Sequence, residues 1–261
     1  MFREVTFADI FIFMIGLIVG SFLNVCIHRL PRGESVVKPR SHCPKCKQLI
    51  RWFDNVPLVS FMVLGGRCRA CHTRIAFRYP IVEFVSGLIW VGSWRIYGFP
   101  FFWVPVAFLS LLWVMGLTDW ETGLIPDKVS LSGLGLGIVA SFFYPNLHQA
   151  TSGLMAVGKS LLGALVGAAL LYMTALIGNW IFQRESMGGG DVKLLAMVGS
   201  FLGWEKVLFT FFTAPLLALP FALYQRWVKR EEIIPYGPFL SAAAAVQFFY
   251  GHLFWRYFLI L

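Results

Sequence analysis

Long apolar runs alternate with short polar ones along nearly the whole chain. The runs approach the roughly 17–25 residues that a helix needs to cross a bilayer. This pattern predicts spans at 7–27, 81–97, 101–118, 129–145, 160–182, 192–204, 206–225 and 238–258. The sixth is short and bounded by glycine, which predicts a tilted or re-entrant segment there. The first run leads into His28, Arg29, Leu30 and Pro31 without a small-residue cleavage site, so it is expected to be a retained span and not a removed signal. One sizeable polar insertion, at about 30–79, interrupts the alternation. The predicted fold class is therefore an all-α polytopic membrane protein of about eight transmembrane helices with one polar loop.

Composition agrees with the pattern. Of the 261 residues, 58% are hydrophobic and 13% charged, and the mean hydropathy is +0.71. Soluble domains run near 45–50% apolar and about 25% charged. The apolar surface is too large for one water-soluble core, so lipid is expected to be its solvent.

Net charge is +9, which would fit nucleic acid if the charges formed a binding face. Their positions argue otherwise. Eleven of the 22 Lys and Arg fall between residues 29 and 78. Loops rich in these residues stay in the cytoplasm. With this loop inside, both termini lie outside. Lys128, Arg184, Lys193, Arg226, Lys229 and Arg230 then join the inner side, and Arg3, Arg95, Lys159, Lys206 and Arg256 lie outside. Nucleic acid is not an expected partner; the bilayer is.

Small residues mark close helix contacts. Gly163 and Gly167 form a G-x-x-x-G pair, and Gly133, Gly135 and Gly137 alternate in the fourth span. In lipid such residues let backbones approach.

Ionisable groups near the membrane are costly and mark function. Asp119 closes the apolar run ending at Thr118, and Asp191 follows Gly188, Gly189 and Gly190. The topology puts both at the cytoplasmic ends of their spans, so they can meet at one depth although 72 residues apart in sequence. Two adjacent carboxyl groups share one proton, which provides a base to activate water and an acid to protonate a leaving amine. The three glycines are expected to let the backbone bend and a peptide approach closely. Asp127, behind Pro126, looks like the start of the fourth span and is given a supporting role.

Cys43 and Cys46, then Cys68 and Cys71, form two C-x-x-C knuckles separated by 21 residues. Four thiolates on a cytoplasmic loop suit tetrahedral zinc, with a redox dithiol pair as the alternative. With no open ligand position, the metal would be structural. Cys26 lies in the first span as a small hydrophobe, and His42 and His72 flank the knuckles as bystanders.

Gly188-Gly189-Gly190-Asp191 matches the G-x-G-D motif of membrane aspartyl peptidases. The segment running Asp119, Trp120, Glu121, Thr122, Gly123, Leu124, Ile125, Pro126, Asp127 resembles the partner motif of bacterial prepilin peptidases. Val192, Lys193 and Leu194, the stretch from Gly20 to Val25, and Tyr79 to Glu83 extend the likeness over essentially the whole chain. The resemblance implies catalysis by Asp119 and Asp191 in the bacterial inner membrane, with the active site facing the cytoplasm. The substrates would be type IV prepilin or type II secretion pseudopilin precursors, cut after a glycine. The resemblance also implies N-methylation of the new terminus using S-adenosylmethionine. The N-terminal part, 1–100, would carry methyl transfer, and 101–261 would form a six-span peptidase domain. Asn24, Glu83 and the loop are candidates for methyl transfer, with plain packing or polar pairing as the other reading. Glu121, Glu185, Glu231 and Glu232 could attract a basic leader or simply face solvent.

Three rivals belong to other classes. A transporter or proton relay would use the same aspartates, usually at mid-membrane. A zinc metallopeptidase would need a His-Glu-x-x-His helix or an open metal site, and the sequence holds no such motif. A non-enzymatic assembly protein would use the zinc loop for docking.

Overall fold

The structure is a computed structural model and describes residues 4–183, 187–229 and 234–258. Arg3, Arg184, Glu185, Arg230, Glu231 and Glu232 lie outside these residues. Eight α-helices follow in order: α1 Phe7–Arg29, α2 Val59–Val63, α3 Arg78–Tyr97, α4 Trp103–Thr122, α5 Asp127–Phe143, α6 Gly153–Phe182, α7 Gly189–Tyr224 and α8 Gly237–Phe258. Among the described residues no strand forms. Two isolated antiparallel bridges, His42 with Leu49 and Arg67 with Arg74, sit in the polar loop. The chain divides into two compact units, Met1–Ser110 and Leu111–Leu261.

Among the described residues, four helical segments are both long and apolar enough to cross a membrane: Phe7–Arg32, Trp103–Thr122, Gly153–Phe182 and Gly189–Trp227. The protein is thus a multi-pass membrane protein. Of the other predicted spans, α3 carries Arg78, Glu83 and Arg95, and α5 has 17 residues. The short helix α2, inside the polar loop, has no counterpart among the predicted elements.

In the first unit, Thr6 opens α1 with a capping box. Its N–H donates to Asp9 Oδ2 at 2.8 Å, and the Asp9 N–H donates back to Thr6 Oγ1 at 3.3 Å. Arg95 of α3 grips the same carboxylate at 2.9 Å, pinning the ends of α1 and α3 together. Further along, glycine lets the backbones close. A methyl on Gly16 would stand 2.8 Å from Gly87 Cα, and one on Gly20 would stand 2.7 Å from Glu83 Cα. The opposite face of α1 presents Phe7, Phe11, Met14, Ile18 and Phe22, all exposed at helical spacing. Such a stripe suits lipid and not water.

In the second unit the core is the first half of α7. Leu194, Leu195, Met197, Val198 and Phe201 are almost fully buried, with α5, α6 and α8 packed against this helix. Gly163 and Gly167 of α6 meet the backbone of Gly199 and Leu195, and Gly133 and Gly137 of α5 meet Met197 and Ser200. Gly135 faces open space. The backbone breaks at Gly203, with φ 80° and ψ 169°. At about 1.5 Å per residue, the 36 residues of α7 would stretch about 54 Å if straight, well beyond the roughly 30 Å of bilayer hydrocarbon. The Gly203 break divides the helix where the sequence predicts a boundary between the sixth and seventh spans.

Candidate active site and metal centre

The second unit brings two separate stretches of sequence together. α4 ends with Asp119 in its last turn, and Gly123, at φ 65°, turns the chain away from the helix. The next residues reach Pro126, which caps α5, and Asp127, its first helical residue. Proline is suited to that entry, and an acidic first turn complements the helix dipole. The other stretch opens α7. Gly188 caps the helix, and Asp191 sits at its third position, donating its N–H to Gly188 O at 3.2 Å.

The two stretches touch at two points. Lys193 Nζ of α7 lies 2.7 Å from Asp127 Oδ1 of α5. A methyl on Gly190 would come 3.0 Å from Ile125 Cβ. Together these contacts seat the first turn of α7 on the α4–α5 connection.

Asp119 is 7% exposed. Its Oδ2 accepts a hydrogen bond from the Gly237 N–H at 2.8 Å. Asp119 is close enough for its charge to act on Asp191. Asp191 Oδ1 is buried and has no hydrogen-bond partner among the described residues. A buried carboxylate oxygen left without a donor is expensive in a structural role, and ordinary for a group that engages water or substrate.

The three glycines need no special backbone angles. None lies in the left-handed region; Gly188 is extended at φ −73°, and Gly189 and Gly190 are helical. Their value is room. Nothing stands within 4 Å of a methyl placed on Gly189, so the backbone there is open to a peptide. The expected bend is absent from Gly189 and Gly190, which are helical.

Sequence reading missed Gly237. It sits in a Tyr-Gly-Pro string after a polar connection, and no motif marks it. Tyr236, its neighbour, is near enough to feel the Asp191 charge.

The four cysteines that could hold a metal belong to the first unit. The Sγ atoms of Cys43, Cys46, Cys68 and Cys71 all lie within 4.8 Å of one another. Each pair sits in an equivalent tight turn. The Cys43 N–H donates to Gln48 O, and the Lys47 N–H returns to Cys43 O, both at 2.9 Å. The Cys68 N–H donates to Thr73 O at 2.9 Å, and the His72 N–H returns to Cys68 O at 3.0 Å. Lys47 and His72 take matching left-handed angles, φ 60° and 54°. Thiolates about 2.3 Å from a tetrahedral zinc stand about 3.8 Å apart. Cys43 Sγ and Cys71 Sγ are 3.8 Å apart. The donor set fits a metal and does not form disulfides. His42 and His72 stay outside the cluster.

Asn24 and Glu83 hold the loop in place. Asn24 Nδ2 donates to Tyr79 O at 3.1 Å, and Glu83 Oε2 accepts the Leu58 N–H at 2.9 Å. Between α1 and the loop lies a groove of about 490 Å³, lined by Ser21, Arg29, Arg40, Trp52 and Asn55 among others.

Comparison with known proteins gives two family matches. Residues 14–97 match the bacterial peptidase A24 N-terminal domain, and residues 106–223 match the type IV leader peptidase family. Curated relatives carry the name prepilin leader peptidase/N-methyltransferase. The Burkholderia pseudomallei protein is 33% identical over 94% of this chain and 86% of its own length. The Pseudomonas aeruginosa protein is 34% identical over 91% of this chain and 89% of its own. The Myxococcus xanthus protein is 39% identical over 76% of this chain, which spans 57% of that relative's length. No solved structure matches.

Proposed function

Because the chain belongs to the type IV leader peptidase family, we propose that it cleaves the leader from prepilin or pseudopilin precursors and N-methylates the new terminus. The observation that carries the mechanism is the placement of Asp119 at the end of α4 and Asp191 at the start of α7, with that first turn of α7 seated on the α4–α5 connection through Asp127–Lys193 and Gly190–Ile125.

Asp119 and Asp191 act as an aspartyl dyad. One carboxylate takes a proton from water, which attacks the scissile carbonyl; the other, protonated, donates to the leaving nitrogen. The pair titrates as a unit, so neither residue holds a fixed acid or base label. Asp191 Oδ1, without a donor, is the oxygen available to that water. Gly189 leaves room for an extended peptide beside it. Asp127 supports the dyad by holding Lys193.

The chain crosses the bacterial inner membrane eight times, α7 counting twice through its break at Gly203. The basic loop and both aspartates face the cytoplasm. A prepilin held as a transmembrane helix then offers its basic leader on that side. A proton relay would need its carboxylates at mid-membrane. Asp119 in the last turn of α4 and Asp191 in the first turn of α7 favour the peptidase.

The four cysteines hold structural zinc, which fastens a loop too small for a core of its own. The 1–100 region carries methyl transfer. S-adenosylmethionine, when bound, would be the source of an electrophilic methyl group for the new amine. In the groove between α1 and the loop, Trp52 suits an aromatic base, and Arg40 and Asn55 suit a carboxylate. The groove lies in the size range of small-molecule sites.

The test is incubation of membranes containing the protein with a prepilin-like precursor and S-adenosylmethionine, read by mass spectrometry. The account predicts leader release after a glycine and a product one methyl heavier. An intact precursor, with the protein folded in the membrane, would contradict it.

A further inference from the structure

The start of α8 makes an unusual use of its free donors. The first-turn N–H groups of a helix have no partner inside it. In α8 the Phe239 and Leu240 N–H groups both donate to Tyr236 O at 3.1 Å, and Pro238 has no N–H. That leaves Gly237, whose N–H donates at 2.8 Å to Asp119 Oδ2, across 118 residues of sequence. The helix dipole adds attraction for a carboxylate at this end.

Space enforces the same contact. A methyl on Gly237 would stand 2.8 Å from Asp119 Oδ2, 3.0 Å from its Cβ and 3.1 Å from its carboxyl carbon. No side chain fits without moving the carboxylate. One turn further, the Ser241 side chain and Pro238 back onto Gly116 of α4. Phe221 of α7 stacks between Trp120 of α4 and Phe239 of α8, at 5.1 and 5.5 Å between ring centroids. The α8 start is therefore clamped beside α4, and its donor is held in place.

We propose that Gly237 is a positioning residue for peptide cleavage: its N–H fixes the rotamer of Asp119, and its missing side chain makes room for that carboxylate. α8 thus belongs to the catalytic centre although it carries no acid. Tyr236 borders the other carboxylate; burial and the Asp191 charge push its hydroxyl up to about 12, so it stays protonated throughout the working range.

The inference rests on the aspartyl reading, and its test separates the two. Cleavage of a prepilin-like substrate is measured for the parent, Asp119→Asn, Asp191→Asn and Gly237→Ala. A fifth protein carries an ester in place of the 236–237 peptide bond, which removes the donor without adding a side chain. Methylation of a pre-cleaved pilin and thermal stability in detergent report folding. Gly237→Ala is expected to lower kcat about a hundredfold with KM little changed, as misplacement of a reacting group by about 1 Å does. The ester variant should lose about tenfold or more in kcat. If Gly237→Ala fails to assemble, the ester variant decides. Parental kcat in the ester variant, with both aspartate variants dead, overturns the positioning role alone. Parental cleavage by either aspartate variant overturns the dyad itself.

Discussion

Lys193 Nζ and Asp127 Oδ1 meet at 2.7 Å and tie the first turn of α7 to the first turn of α5. Asp191 is two residues from Lys193, so the ion pair lies beside the proposed catalytic turn. Both side chains are well exposed, at 40% and 57%. Exposed pairs contribute about 0.2–1 kcal/mol. Asp127→Asn or Lys193→Gln should therefore lower kcat by no more than about fivefold. Steady-state cleavage kinetics check this. Complete loss in Asp127→Asn would instead place it in the dyad.

Metal removal separates the loop from the peptidase core. The account predicts one zinc per chain, measured by elemental analysis, and its loss in Cys43→Ser and Cys68→Ser. Without the metal, the exposed Lys and Arg of the loop should become sensitive to trypsin. Unchanged zinc content in these variants would remove the four-cysteine site.

His148 predicts an acid dependence of stability. The ring is buried, with Nε2 2.8 Å from Ser141 Oγ. Burial, with Lys206 and Lys159 nearby, lowers its pKa from 6.5 to about 4. In the unfolded chain the ring takes its proton more readily than in the folded one. Its contribution to stability is therefore complete above about pH 6.5 and falls away as the pH drops towards 4. Melting temperature in detergent should decline over that window, and His148→Gln should flatten the decline.

The contact of α6 with α7 is backbone against backbone. A methyl on Gly163 would stand 2.8 Å from Gly203 Cα. Gly163→Ala should destabilise by about 1–3 kcal/mol, as overpacking of a filled core does. A thermal-unfolding comparison in detergent checks it.

Much of this was legible in the sequence because the signals are local. An apolar run announces a helix wherever it sits, and α1 and α4 follow their runs closely. Each cysteine knuckle is a local C-x-x-C signal, and the same signal occurs twice in one short loop, so their cluster could be read from spacing alone. Asp127 at the start of α5 was legible from Pro126 beside it. Other features depend on distant partners. Glycine carries no functional group, so the Gly237–Asp119 bond cannot be inferred without knowing that α8 starts beside α4. The glycines before Asp191 invited a bend that the helix does not make, because ordinary angles satisfy them. Gly203 was visible only as an edge between two apolar segments, while its positive φ at the break of α7, with His148 Nδ1 3.1 Å from where a methyl would stand, depends on the fold.

The most direct measurement is prepilin cleavage by Asp119→Asn and Asp191→Asn, each shown to be folded and membrane-inserted by retained methylation of a pre-cleaved pilin. The account predicts that each change alone abolishes leader release. Cleavage at the parent rate by either variant would contradict it.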